Sequence, residues 1–286
     1  MTEQAVLPQP GATPARGAAP ARGARAAAGE RPRSSRLLPS YDAGSVEVPY
    51  VIQGASEVIT CDTWWEEHSH PTHELLWNER GAATVTVGPR TWTVTPSIGL
   101  WVPAGVLHSG WTPAGTWQRA AQLNTRTVPS ISATPVAVDV TALLTLLLDR
   151  LDDDLTERSR ATTEAMVLDV LAPAPTELLL QSPTSALLAA VVEAVLADPS
   201  DATTLAGWAT RLGVSTRTVT RTFVAETGMG FSQWVATART QHAIALLARG
   251  EEIEDVALLV GYGSASAFGT AFRRVTGVSP GRFRAR

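Results

Sequence analysis

The sequence predicts a multidomain chain, with an all-β barrel or sandwich first and an all-α region with two helix-turn-helix units after it. Three observations predict this. Residues 46 to 124 carry short alternating apolar runs broken by Gly and Pro, which is the spacing of a β-sandwich or barrel. From Val140 onward the apolar residues recur at helical intervals. The C-terminal part also repeats itself, with Ser215 matching Ser264.

A length of 286 residues suits two domains, since about 150 residues per domain is the usual size. Hydrophobic residues make up 44% and charged residues 17%, enough for real cores. No run approaches the roughly 18 apolar residues of a membrane helix, which excludes an integral membrane protein of that kind. The single Cys61 excludes a disulfide framework and a cysteine zinc site, and fits a reducing, cytoplasmic setting. The net charge of -4 conceals segregation: residues 139–202 hold 3 Arg against 12 acidic residues, whereas 203–286 hold 10 against 5. A basic C-terminal module therefore follows an acidic middle. All basic residues are Arg, the better partner for guanine and phosphate.

Residues 1–36 are Ala, Gly, Pro and Arg with almost no apolar content, and are expected to be a disordered tail without a secretory h-region. A β domain over 41–138 follows, its runs at 46–53, 74–77, 84–87, 91–95, 100–102 and 117–123. Val140, Leu143, Leu144, Leu147, Leu148 and Leu151 then predict one helix, and Met166, Val167, Val170 and Leu171 a second. This region, 139–172, is assigned to dimerisation or linkage. Pro173, Pro175 and Pro183 make 172–184 the best linker. The remainder, 184–286, reads as helices.

Within it, Ser215, Val219, Phe223, Thr227 and Gly228 match Ser264, Phe268, Phe272, Thr276 and Gly277 at identical spacings, with Ala209 and Gly213 answering to Ala257 and Gly261. Each copy reads as a short helix, a Gly turn, a Ser N-cap and a second helix with apolar residues four apart. The second copy has one more residue in its turn. Phe231, Trp234, Val235, Ala238, Ile244, Leu246 and Leu247 mark a connecting helix roughly 25 Å long, a strut that sets the two units about one DNA turn apart.

Residues 184–286 resemble the AraC/XylS-type DNA-binding domain through Ser215-Thr-Arg-Thr-Val-Thr-Arg-Thr-Phe223, Glu226-Thr-Gly228, Ala238-Arg239, Ile253, Val256-Ala257, Gly261-Tyr262, Phe268, Phe272-Arg273-Arg274 and Gly277-Val-Ser-Pro280. The resemblance implies that the exposed faces of the second helices meet double-stranded DNA. In the first unit those positions are Ser215, Thr216, Arg217, Thr218, Thr220 and Arg221; in the second they are Ser264, Ala265, Ser266, Gly269, Thr270, Arg273 and Arg274. Arg217 and Arg221 suit base reading. The second face carries no long hydrogen-bonding side chain before Arg273 and Arg274, so weaker direct readout and phosphate anchoring are expected there.

Four of the five histidines cluster as His68-Ser-His70-Pro-Thr-His73-Glu74, with six residues between Glu74 and Gly81, and Pro103-Ala-Gly105-Val-Leu-His108. These resemble the two signatures of the cupin barrel. Along one extended strand, positions 68, 70 and 74 share a face and His73 points away. With His108 they make a set suited to a divalent ion such as iron, manganese, nickel or zinc. A cupin sensor joined to an AraC-type module is a familiar arrangement in which such histidines commonly persist without metal, and Thr112 stands where the last cupin Asn is usual. His68, His70, Glu74, His108 and Trp101 are expected to line a small-molecule effector pocket, with no cofactor required beyond that ion. Seven of the nine Trp fall in this region, either lining the pocket or filling the core.

These features point to a bacterial-type, sequence-specific transcription regulator rather than an enzyme. Its expected partners are DNA, an effector, RNA polymerase and a second copy of the chain. A cupin dioxygenase or isomerase accounts for the histidines but leaves the repeated helix-turn-helix without a role. A DNA-binding protein whose barrel only dimerises is the third reading.

Overall fold

The computed structural model describes residues 33–284, so the expected tail at 1–32 lies outside the described residues. The N-terminal unit is two stacked sheets. One runs β1 (Arg33–Arg36), β3 (Asp62–His68), β8 (His108–Thr112), β5 (Ala83–Val87), β6 (Arg90–Val94) and β11 (Leu179–Gln181). The other runs β10 (Val136–Asp139), β7 (Ile98–Val102), β4 (His73–Arg80), β9 (Trp117–Leu123) and β2 (Ile52–Val58).

Alternation along the strands builds two layers of core. Leu76, Val85, Trp92, Val94, Leu100 and Val102 meet between the sheets. Leu75 and Trp101, each one residue out of step with that set, turn to the outer face of the five-stranded sheet. There they pack with Leu144, Leu147 and Leu148 of α1 (Ala142–Arg150) and Val167 of α2 (Glu157–Val170). Thr141 and Thr156 cap these helices by accepting the backbone N–H of Leu144 and Ser159.

The C-terminal unit consists of α3 (Ala189–Ala197), α4 (Leu205–Arg211), α5 (Thr216–Thr227), α6 (Phe231–Ala248), α7 (Ile253–Leu259), α8 (Ala265–Thr276) and α9 (Pro280–Arg284). Both expected caps are present: Ser215 Oγ accepts from Thr218 N at 3.1 Å and Ser264 Oγ from Ala267 N at 3.2 Å. Gly228 and Gly277 end α5 and α8 in the left-handed region, at φ 72° and 76°. Val219, Phe223 and Trp234 centre one core, and Val256, Phe268 and Phe272 the other. α6 serves both, and its Arg239 donates to the carbonyls of Pro199 (2.8 Å), Asp201 (3.0 Å) and Gly261 (3.2 Å). Gly261 sits at φ 80°, where a Cβ would lie 2.9 Å from Ser200 Cα; only glycine fits that turn.

Four expectations are corrected. Residues 33–36, assigned to the tail, form β1 parallel to β3, and Arg36 is ion-paired to Glu57. This strand arises from edge pairing and not from an apolar pattern. Residues 46–51 precede β2 and are not part of it. The segment 172–184, read as a linker, contains β11, which pairs with β6, and it buries Leu180 of that strand and Leu178 just before it. Finally, α1 and α2 cover the barrel's own outer face and do not stand between barrel and DNA-binding helices.

The barrel meets the helical unit through its six-stranded sheet. Trp234 Nε1 donates to Gln181 O at 2.9 Å, Gln241 Nε2 to Thr91 O at 2.9 Å, and Arg249 to both carboxylate oxygens of Asp62 at 2.9 Å. Ala82 and Leu178 enter the core of the second helix-turn-helix unit. Among the described residues no helix is long and apolar enough to cross a membrane.

Candidate effector pocket and nucleic-acid interface

His68, His70, Glu74 and His108 come together, though not along one strand as expected. His68 ends β3, Glu74 lies in β4 of the other sheet, His70 is in the connection, and His108 pairs with His68 in register on β8. One nitrogen from each histidine lies within 4.8 Å of the others. Glu74 Oε2 lies 3.5 Å from His70 Nε2 and 3.4 Å from His108 Nε2. It is buried without an aligned hydrogen bond, while Oε1 accepts from Gln122 Nε2 at 2.7 Å. His73 points the other way, as expected: its Nδ1 accepts from Ala104 N, and its ring lies 5.1 Å from that of Trp101.

Backbone carbonyls set the tautomers. His68 Nδ1 lies 2.7 Å from Glu66 O, and His108 Nδ1 3.0 Å from Val106 O. A carbonyl only accepts, so each Nδ1 carries hydrogen and each Nε2 of the neutral ring offers a lone pair. Burial, reinforced by the neighbouring histidines, brings His68 down to about 4. Burial alone would raise Glu74, but His70, His108 and His68 outweigh it and bring the carboxyl to about 2. For His108 burial opposes protonation, yet the Glu74 carboxylate wins and its pKa rises.

These groups line a cavity of about 150 Å³ between the sheets, with Leu38, Trp65, Leu76, Asn78, Val85, Val94, Gly110 and Thr112 among its walls. Trp101, expected there, is absent. It is completely buried in the outer core and donates to Ser130 Oγ at 3.0 Å. Trp65 takes that place, its Nε1 donating to Thr112 Oγ1 at 3.0 Å, and Thr112 donates to Gln118 Oε1. Trp65 and Asn78 had no motif to announce them; the only trace was Asn78 standing two residues past Leu76, on the inward row of β4.

On the helical unit Arg217 and Arg221 are exposed on α5, while Val219 and Phe223 are buried. Thr216 is exposed, Thr220 half-buried, and the Thr218 hydroxyl is 2.9 Å from Ser215 Oγ. On α8, Ser266, Thr270, Arg273 and Arg274 are exposed and Ala265 is half-buried. Ser215 and Ser264 are the expected N-caps of α5 and α8. Gly269 lies against Pro280 of α9. Arg217, Arg221, Arg273 and Arg274 have no hydrogen-bond or ion-pair partner among the described residues, which leaves four guanidinium groups on one basic unit without a carboxylate.

The buried histidine generates a pH prediction. The unfolded chain protonates His68 near the ordinary 6.5, the folded one only near 4. The unfolded state therefore binds more protons in that window. The His68 contribution to metal-free stability is complete above 6.5 and is lost as pH falls through about 4, by at most about 3 kcal/mol. Denaturant titrations across this range should show that loss, and His68→Gln should flatten it; an unchanged slope would contradict the burial assigned to His68.

Comparison with known proteins places both units. Residues 55–130 match the family model described as AraC-like ligand binding domain, and residues 208–286 the model described as helix-turn-helix domain. The HTH-type transcriptional regulator NimR of Escherichia coli (strain K12) is 29% identical over 249 residues, 84% of this chain and 88% of that protein. The HTH-type transcriptional regulator RipA of Corynebacterium glutamicum is 42% identical over 91 residues, 32% of this chain and 28% of its own. Among solved structures, ToxT from Vibrio cholerae is 12% identical, covering 82% of this chain and 98% of that one at a TM-score of 0.35. The chain thus carries an AraC-like ligand-binding domain ahead of a helix-turn-helix domain, the two-domain arrangement of the AraC-type transcriptional regulators it is similar to.

Proposed function

We propose that a small molecule held in the barrel cavity sets how the six-stranded sheet holds α6, and through α6 how the two recognition helices meet duplex DNA. One observation carries this reading: β8 has two working faces. His108, Gly110 and Thr112 line the cavity, while Trp111 lies under Arg249, the C-cap of α6, 5.2 Å from the guanidinium to the ring centre. A ligand shifts such a system only by its differential affinity for two arrangements, and a strand shared by pocket and docking face supplies that difference. This route takes the place of the helices of 139–172, assigned to dimerisation or linkage, as the connection between the two units.

In the same reading the site senses and does not catalyse. The three histidines and Glu74 suit a divalent ion, because two lone pairs are held inward by backbone carbonyls and one carboxylate oxygen is buried beside the imidazoles without an aligned hydrogen bond. Such an ion supplies a Lewis-acidic anchor for an oxygen or nitrogen of the effector. The exposed Leu143, Leu146 and Met166 on α1 and α2 support homodimerisation through that face. Contact with RNA polymerase and a cytoplasmic location belong to the same reading.

For DNA, α5 reads bases through Arg217 and Arg221, and α8 anchors through Arg273 and Arg274. Arg221→Ala should cost about 1–3 kcal/mol and relax one base pair, whereas Arg274→Ala should weaken all sequences alike and lower the salt slope by about one. Selection from random DNA should return one well-defined and one poorly defined half; equal information in both would contradict the assignment.

Replacing His70 and His108 by Ala should abolish the effector response in a reporter strain and leave DNA affinity without effector unchanged. Elemental analysis of the purified wild type separates an ion from an organic ligand. A double variant that still responds normally places sensing elsewhere.

A further inference from the structure

Among the described residues, two cavity-lining side chains bury a polar atom without a hydrogen bond: Glu74 through Oε2 and Asn78 through Oδ1. Glu74 is accounted for by the histidines. Asn78 is not. It is 1% exposed, and its Nδ2 donates to Val94 O at 2.9 Å. Since a carbonyl cannot donate, this contact fixes which end of the amide is oxygen and leaves Oδ1 without a donor. A buried acceptor left unmatched is unfavourable and uncommon in native proteins. Gln118, opposite Asn78 in the β4–β9 register, is turned with its Oε1 toward Thr112, and its amide does not donate to Asn78 Oδ1.

The strand explains where this acceptor stands. Glu74, Leu76 and Asn78 occupy alternate positions of β4, all toward the cavity, so Asn78 sits roughly 13 Å along the strand from Glu74. Leu76 stands between them on β4 and packs with Val85 and Val94 of the same wall, an apolar patch in a lining that also holds Thr112 and Gln118. The site is thus polar at both ends and greasy in the middle. Its volume of about 150 Å³ equals that of an apolar cavity able to hold benzene, so one ring with a short substituent fills it.

We propose that Asn78 is the specificity-determining contact of the effector site: Oδ1 accepts a hydrogen bond from an N–H or O–H at one end of a small, uncharged, largely apolar effector whose other end lies at Glu74 and the histidines. This rests on the barrel being the effector site. An effector with only acceptors, or a carboxylate, at that end is rejected because it meets a carbonyl oxygen lone pair to lone pair.

Aniline and toluene make the test, being nearly the same shape and differing in the donor. With the full-length protein, aniline should bind about tenfold or more tightly than toluene, since toluene leaves the buried oxygen unmatched. In Asn78→Leu the ratio should fall to one or invert. Asn78 and Asn124 are the only asparagines, so asparagine-selective ¹⁵N labelling gives two side-chain amide pairs. Aniline should move that of Asn78, leave that of Asn124, and so decide the matter in the wild type even if the variant fails to fold. Equal affinities, a preference that survives Asn78→Leu, or an unmoved Asn78 amide on saturation would overturn the assignment while leaving the cavity a ligand site. If neither probe binds, the barrel as effector site fails, and this inference with it.

Discussion

The pairing of Arg249 with Asp62 is the contact on which the arrangement of the two units depends. The guanidinium reaches both carboxylate oxygens at 2.9 Å, with the two side chains only 16% and 13% exposed. Asp62 also accepts from Ala114 N, and Trp111 covers the arginine. Taking two charges out of water costs about as much as their attraction returns, so such a pair adds little net stability. Its geometry, however, is demanding: a bidentate fork tolerates little rotation, and losing one partner strands the other. The contact therefore fixes where the end of α6 sits on the sheet, and both helix-turn-helix units are built on α6.

The helical unit is held by local rules used twice. A serine cap opens each recognition helix and a left-handed glycine closes it. What joins the copies is not repeated. Arg239 ties α6 to the loop before α4 and to the turn after α7, and Gly261 is confined by Ser200 and Arg239 themselves. The two recognition helices are thus referenced to one strut, and a change in how that strut is seated moves both together.

The local parts were legible in the sequence and the long-range ones were not. Caps, apolar spacing and turn glycines act within a few residues, so both helix-turn-helix units and α6 could be read from Ser215, Ser264, Gly213 and Gly261. The histidine set was legible as a motif, but its geometry was not: alternation along one strand was expected, and a connection between two sheets brings the residues together instead. Trp101 was misplaced because which face a strand residue takes depends on register, and Leu100 and Val102 claim the interior. β1 and β11 exist through pairing with distant edges, and their own residues carry no strand pattern. Asn78 and Arg249 matter for partners far away in the chain, Val94 and Asp62, which no local periodicity reveals.

A charge exchange across the docking face measures the central claim most directly. DNA affinity is compared at one salt concentration for the full-length wild type, Asp62→Arg, Arg249→Asp and the double exchange, as a double-mutant cycle. If the barrel controls the recognition helices through this contact, each single variant shifts DNA affinity in the same direction and the double exchange returns it toward wild type. Four equal affinities, from proteins with unaltered folding, would show that the seat of α6 on the barrel has no bearing on DNA binding.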